Sequence, residues 1–335
     1  MTLDYVIRRV GIFLLVIWVA ASINFFIPKL APGQDPIVGA LLEATQDGGV
    51  AGDAMVEIAK EYKARYGLDK PLWQQYVIYL GAMAQLDFGV SFVSFSSVNE
   101  IILTRLPWTL GLLGTSTLIG FIAGSILGAL IGWPYSPRFL QGFIVPSFLF
   151  SAVPPYLMGL ILVYLLAVTF SVLPYGGGYE SGVIQGWNFE FFISVLTHAA
   201  LPAMALVVTD LGVRALVMRG TILSLFGEDY IKHAENRGLK GWRIFALYGM
   251  RNALLPQLTW LALSLGFVAG GAIVVEAVFA YPGLGSALLQ AIHGFDYPVI
   301  FGIVFLIILS IAVMTLILDL VYPLIDPRIK YGKKS

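Results

Sequence analysis

Few side chains in this sequence of 335 residues are of types and spacings that do covalent or acid–base chemistry. There is no cysteine, which excludes disulfides, thiolate metal sites and cysteine nucleophiles. The histidines, His198, His233 and His293, are scattered without metal-ligand spacing. Gly332-Lys333-Lys334-Ser335 lacks the leading glycine and preceding strand of a phosphate loop, and Gly283-x-Gly285 lacks the third glycine of a dinucleotide loop. Asp87-Phe88-Gly89 is accompanied by neither the catalytic-loop motif nor the glycine-rich loop of a kinase. The sequence therefore predicts no catalytic residue, no metal and no cofactor in this chain. The acids worth following are those in apolar surroundings. Glu276 ends an apolar run, where a carboxylate is costly against lipid and should face a cavity or a partner. A hydrogen-bonded structural acid and a solute contact both remain open there. Asp210 and Arg214, four apart in a helical pattern, read as an internal pair.

Composition says what must position these groups. The chain is 58% hydrophobic and 12% charged with no net charge, and its mean hydropathy is +0.85. That leaves too little polar surface for a soluble domain of this length. Balanced charge argues against a nucleic-acid partner, which needs concentrated cations. The apolar runs predict six transmembrane helices, at about 10–27, 108–133, 143–170, 192–217, 258–279 and 300–322, in a lipid bilayer. The first is expected to be an uncleaved helix with Asn24 facing protein, because no small-x-small cleavage site follows it. Pro146, Pro154 and Pro155 interrupt the third. In the second, Gly120, Gly124, Gly128 and Gly132 recur every fourth residue and form a ridge on which another helix can pack closely. The run 284–292 is too short to span and reads as a re-entrant or interfacial helix.

Lysines and arginines orient the bundle. Arg8, Arg9, Arg138, the cluster between Arg214 and Arg251, and Arg328, Lys330, Lys333 and Lys334 fall on one side, while the loops 171–191 and 281–299 contain none. Both termini are therefore expected in the cytoplasm of a multi-pass membrane protein. Residues 31–106 form a polar zone, expected to be an external loop folded as a small helical cap, with an amphipathic segment at 55–66 and a cluster of Trp73, Tyr76 and Tyr79.

Residues 226–256 are the long polar, cation-rich interval of the second half. Glu228 and Asp229 suit the first turn of a short helix and Gly238 its left-handed cap. A second helix is expected from Gly241 until Pro256 breaks it. Ala234 and Gly238, four apart, leave one face nearly bare, able to seat in a groove on a partner.

This stretch resembles the cytoplasmic coupling loop of ABC-importer permeases, in the peptide-type variant. Asp229, Tyr230, Ala234, Gly238 and Leu239 fill its first part, and Arg251, Asn252, Ala253, Leu254 and Pro256 its second. Lys232 and His233 stand where the standard form has Glu and Ala. The segments RYGLDKPL, DFGVS and LPWTL resemble the external loop and second helix of the same permeases. So does the stretch holding Glu276, Phe279, Tyr281, Pro282, Gly283, Gly285, Ala291, Ile292, Asp296, Tyr297 and Pro298. The resemblance covers nearly the whole chain and implies an all-α polytopic permease. Its layout would be a first helix at 1–30, an extracytoplasmic loop at 31–106, and a five-helix core at 107–335 containing a coupling loop at 218–257. It implies a second permease subunit, two ABC ATPase subunits that bind the ATP and Mg, and an extracytoplasmic solute-binding protein. Coupling to the ATPases would fall to Glu228, Asp229, Tyr230, Ala234, Gly238, Leu239, Arg251 and Asn252. Trp108, Tyr175, Glu276 and Tyr281 are candidates for the substrate pathway. Within the family, Gly227-Glu228-Asp229-Tyr230 and Leu106-Pro107-Trp108-Thr109-Leu110 look more like the oligosaccharide branch than the oligopeptide one. An ion-gradient-driven secondary transporter would instead expect mid-membrane ionisable groups and internal repeats. A membrane scaffold would leave the basic loop without a role.

Overall fold

Apolar runs that cross a bilayer must satisfy their backbone groups internally, and here they do so as helices. The computed structural model describes residues 3–30, 67, 69–268 and 272–325. Among them no strand forms beyond one isolated bridge between Val90 and Ser97. In chain order the main helices are α1 (Leu3–Lys29), α2 (Leu72–Ala84), α3 (Val98–Gly132), α4 (Ile144–Ala152), α5 (Pro155–Leu162), α6 (Phe189–Leu225), α7 (Asp229–Asn236), α8 (Arg251–Val268), α9 (Ile273–Val278), α10 (Leu284–His293) and α11 (Tyr297–Ile325).

Helices α1, α3, α6 and α11 are long and apolar enough to cross a membrane. Arg138–Ala152 and Pro155–Thr169 make a fifth span if taken together, but they bend by 104° at their junction. So the run expected at 143–170 is a broken helix: Pro154 and Pro155 offer no N–H to the turn before them. The span expected at 258–279 corresponds to α8 and α9, and its residues 269–271 lie outside the described residues. The amphipathic segment 55–66 lies outside them too. Proline does not always end a helix here. Pro107 and Pro202 sit inside α3 and α6, and α8 continues through Pro256, contrary to the break expected there. Membrane helices tolerate such prolines because neighbours and local adjustments satisfy the freed carbonyl. The stretch just before α8, Ile244–Met250, is π-helical.

The described residues form two compact units, one drawn from residues 1–107 and 283–335, the other from 108–282. In the first, α1 lies along α11. The Arg9 guanidinium is 2.9 Å from the Asp319 carboxylate, and the Tyr5 hydroxyl donates to the Asp319 carbonyl at 2.8 Å. Asn24 is buried and donates to the Phe301 carbonyl at 3.3 Å, so it does face protein. α2 is tied to α1 by Tyr76 and Tyr79, whose rings stand 5.3 Å from Phe25, while Trp73 is exposed. The turn before α11 holds buried Asp296, which accepts from Ser91 Oγ at 2.5 Å and from the Phe92 N–H at 3.0 Å. Two stretches far apart in sequence are pinned by one carboxylate. α10 is 10 residues long, about 15 Å, too short to span.

In the second unit the glycine ridge of α3 lies against α6. A Cβ added at Gly120 would stand 2.5 Å from Asp210 Oδ2, one at Gly124 2.8 Å from Arg214 Cβ, and one at Gly132 3.0 Å from the Arg219 carbonyl oxygen. At Gly128 it would overlap the Ala215 carbonyl oxygen. Only glycine permits this approach. α4 meets α6 at Gly212, where a Cβ would stand 2.7 Å from the Ser147 carbonyl oxygen. The apolar core of the unit gathers Leu112, Met158, Leu201, Ala205, Val275 and Phe279.

Candidate functional site

The polar stretch between α6 and α8 folds back on the end of α3. α7 begins at Asp229, whose carboxylate sits at the positive end of the helix. It ends in a paired cap: the Gly238 N–H bonds the Glu235 carbonyl at 2.8 Å, and the Leu239 N–H bonds the Ala234 carbonyl at 3.3 Å. This is the Schellman arrangement, and it needs a left-handed residue at its turn. Gly238 supplies it with φ +68.

α7 is amphipathic. Ile231 and Ala234, three apart, are buried against Trp133 and Ile244, with Tyr230, Leu239 and Phe245 packed around them. Trp133 is the hub: its ring centroid lies 4.7 Å from Phe226 and 5.0 Å from Phe245. Here the sequence expectation needs correcting. Ala234 does not offer a bare face to a partner; it is 2% exposed and seated within the chain itself. A small residue permits close approach whichever surface it meets, and the nearer surface is the chain's own. The outward face is polar instead: Glu228, Asp229, Lys232, His233, Arg237 and Lys240 are exposed, beside Trp242. Gly238 is exposed and no atom lies within 4 Å of where its Cβ would be. Arg251 and Asn252 are exposed at the start of α8, where the Asn252 amide donates to the Tyr248 carbonyl at 2.8 Å.

Where α3 enters the second unit, at Trp108, lies the buried acid. Glu276 on α9 is 0% exposed and accepts from Thr109 Oγ1 at 2.8 Å. After α9 the chain turns sharply through Ala280, at φ 46, and the Tyr281 N–H bonds the Glu276 carbonyl at 2.8 Å. The loop 171–191 closes over this turn, with the Gly177 N–H on the Phe279 carbonyl at 2.7 Å. Trp108 stacks on Tyr179 at 6.1 Å and meets Tyr281 edge-on at 5.7 Å. Burial first, and the Glu276 carboxylate second, push the Tyr281 phenol up to about 12, so it keeps its proton.

Trp108, Glu276 and Tyr281 are thus brought together, with Glu276 enclosed by protein. Tyr175 is 77% exposed. No group of three or more metal-ligating side chains forms among the described residues. Two residues that organise these sites escaped the sequence reading. Thr109 is an unremarked hydroxyl beside a tryptophan. Trp133 carried a signal, since it directly follows the last glycine of the ridge and precedes Pro134.

A sequence profile of the family described as "Binding-protein-dependent transport system inner membrane component" matches residues 116–331. The chain is 34% identical over 332 residues to the oligopeptide transport system permease protein AppB of Bacillus subtilis (strain 168), covering 98% of this chain and 99% of that one. It is 30% identical over 342 residues to the di/tripeptide transport system permease protein DppB of Pseudomonas aeruginosa (strain UCBPP-PA14), covering 98% and 99%. To the dipeptide transport system permease protein DppB of Escherichia coli (strain K12) it is 29% identical over 347 residues, covering 99% and 100%.

Proposed function

Because the chain belongs to the family of binding-protein-dependent transport system inner membrane components and is a permease subunit of an ABC importer, we propose that the solute it passes is a short peptide. The observation that carries this is the end-to-end match, 34% identity over 98% of the chain, to a relative named for oligopeptides. The other two relatives are named for dipeptides and di/tripeptides, which favours peptides over the oligosaccharide expectation.

The chain is a multi-pass inner-membrane protein. In the proposed topology α8 and α9 complete a sixth span, both termini are cytoplasmic, and residues 31–106 are extracytoplasmic. A second permease subunit completes the pathway, and an external binding protein delivers the peptide. Two ATPase subunits, which hold the ATP and Mg, dock on the polar outer face of α7 and the turn after it. The packing supplies a mechanism for coupling. A push on α7 is received by Ile231 and Ala234 and passed to Trp133, and so to the end of α3. The glycine ridge then makes α3 and α6 move together, since no side chain separates them to cushion the contact. At the Trp108 end, Glu276 and its enclosing aromatics act as the closed external seal.

Reconstitution tests this. The permease pair, its ATPases and binding protein are placed in vesicles and uptake of di-, tri- and oligopeptides is compared with that of oligosaccharides, with and without ATP. Peptide uptake requiring both ATP and binding protein is expected. Uptake of sugars alone, or uptake driven by an ion gradient without ATP, overturns the reading.

A further inference from the structure

Within the second unit, beside the break between α4 and α5, lies a pocket of about 410 Å3. Its walls belong to the three spans α3, α4–α5 and α6, and it is unusual among apolar helices for the polar atoms it gathers. Asp210, Thr209, Ser116 and Ser151 all line it. Their hydrogen bonds leave one kind of vacancy. The Thr209 hydroxyl proton is given to the Ala205 carbonyl at 3.0 Å, and that of Ser151 to the Phe148 carbonyl at 2.9 Å. Each oxygen keeps only lone pairs to offer. Ser116 is 2% exposed and its Oγ has no partner among the described residues. Arg214 Nε binds Asp210 Oδ2 at 2.5 Å and its other end reaches Ser264 at 3.1 Å. The described residues place no donor on Asp210 Oδ1, and that side chain keeps 32% of its surface. Pro155 supplies no N–H, so the Ser151 carbonyl also loses its helical donor.

A pocket that presents acceptors, one of them a carboxylate, complements a group made of donors. We propose that it binds a protonated primary amine of the transported solute, the α-ammonium of a peptide or a lysine side chain. This rests on the peptide reading above and gives it a contact point inside the membrane. An ammonium brings three donors and no acceptor, which matches Asp210 Oδ1, Ser116 Oγ and the Thr209 or Ser151 oxygen. Arg214 then has a second role: it holds the carboxylate in place while engaging only one of its oxygens. Gly120 is what leaves room for that carboxylate, since a Cβ there would stand 2.5 Å from Oδ2. A buried, unpartnered hydroxyl such as Ser116 is a net cost to folding that a passing ammonium removes.

The test uses the complete importer in vesicles and three peptides: one with a free N-terminus, its N-acetylated form, and an N-acetylated form carrying one lysine. The readout is the ratio of free-amine to acetylated uptake in each permease variant divided by that of the wild type, so the binding protein's own preference cancels. For Asp210→Asn this ratio should fall roughly tenfold, the scale of one charge-assisted hydrogen bond. Ser116→Ala removes an unpartnered group, so it keeps the fold even if Asp210→Asn does not assemble. Its ratio should fall roughly threefold, less than for Asp210→Asn because the acceptor that is lost carries no charge. If the lysine peptide responds as the free N-terminus does, the pocket takes any primary ammonium; if it behaves as the acetylated form does, the pocket takes the α-amino group. Equal losses on all three peptides in the variants overturn the site and leave the peptide reading standing. Failure of the wild type to move any of them overturns both.

Discussion

The two ends of the part of α3 that belongs to the second unit are each organised around a tryptophan, and they are built in opposite ways. Trp133 stands in an apolar cluster whose buried members are Ile231, Ala234 and Ile244, and the charges of that region face outward. Trp108 stands beside a fully buried carboxylate, with Thr109 donating to Glu276 and Tyr281 closing over it. Apolar contacts are non-directional and can slide or repack at modest cost. A buried acid cannot, because each donor withdrawn from it leaves an uncompensated group. In the proposed mechanism the Trp133 end transmits the motion and the Trp108 end is the part that resists it.

The largest expected effect breaks the first half of that contrast. Trp133→Ala removes the hub of the apolar cluster and should cost about 3–5 kcal/mol, the usual range for deleting a buried large aromatic. Thermal unfolding of the purified complex measures it, and solute-stimulated ATP hydrolysis should be lost while basal hydrolysis persists. A variant with unchanged unfolding temperature and normal stimulation would remove Trp133 from the transmission path. The next effect strikes what joins the two ends. Gly128→Leu forces a side chain into the Ala215 carbonyl and should destabilise the α3–α6 contact by about 1–3 kcal/mol, the overpacking range. Yield of assembled complex reports it, and normal yield would show that the ridge is not a rigid joint. At the other end, Glu276→Leu removes the buried carboxylate that accepts from Thr109, a loss of about 1–3 kcal/mol. The double variant with Thr109→Val should recover most of that stability, because both polar partners are then gone. If the double variant is no more stable than Glu276→Leu alone, the hydrogen bond is not what holds this end.

Much of this was legible in the sequence, for physical reasons that also mark where legibility stopped. Long apolar runs must be helices in lipid, so α1, α3, α6 and α11 were readable, and the spacing of Gly120, Gly124, Gly128 and Gly132 put them on one face. The break at Pro154-Pro155 was readable because two consecutive residues lack an N–H. Pro256 misled, because a single missing N–H in a membrane helix is absorbed by its surroundings. Ala234 misled for another reason: smallness encodes close approach but not the identity of what approaches. The pairings Ser91–Asp296 and Thr109–Glu276 join residues separated by 205 and 167 positions. A single sequence carries no local sign of either.

The smallest effect is the sharpest test of where a partner touches the loop. Gly238 differs from Ala234 in that it faces outward, with no atom of the described chain near its Cβ position. A side chain there meets nothing in this chain. The only internal cost is the left-handed backbone at φ +68, about 1 kcal/mol for alanine. Asparagine adopts that conformation readily and serves naturally at such caps. Gly238→Asn should therefore leave stability nearly unchanged, and Gly238→Ala should lower it slightly. Their effects on coupling should not follow that order. If the turn at Gly238 seats against an ATPase, the bulkier asparagine should reduce solute-stimulated hydrolysis more than alanine does, although it is the better tolerated of the two in the fold. Coupling that falls only with Ala, in step with stability, would mean that the cap matters to α7 alone and that the docking surface lies elsewhere on the polar face.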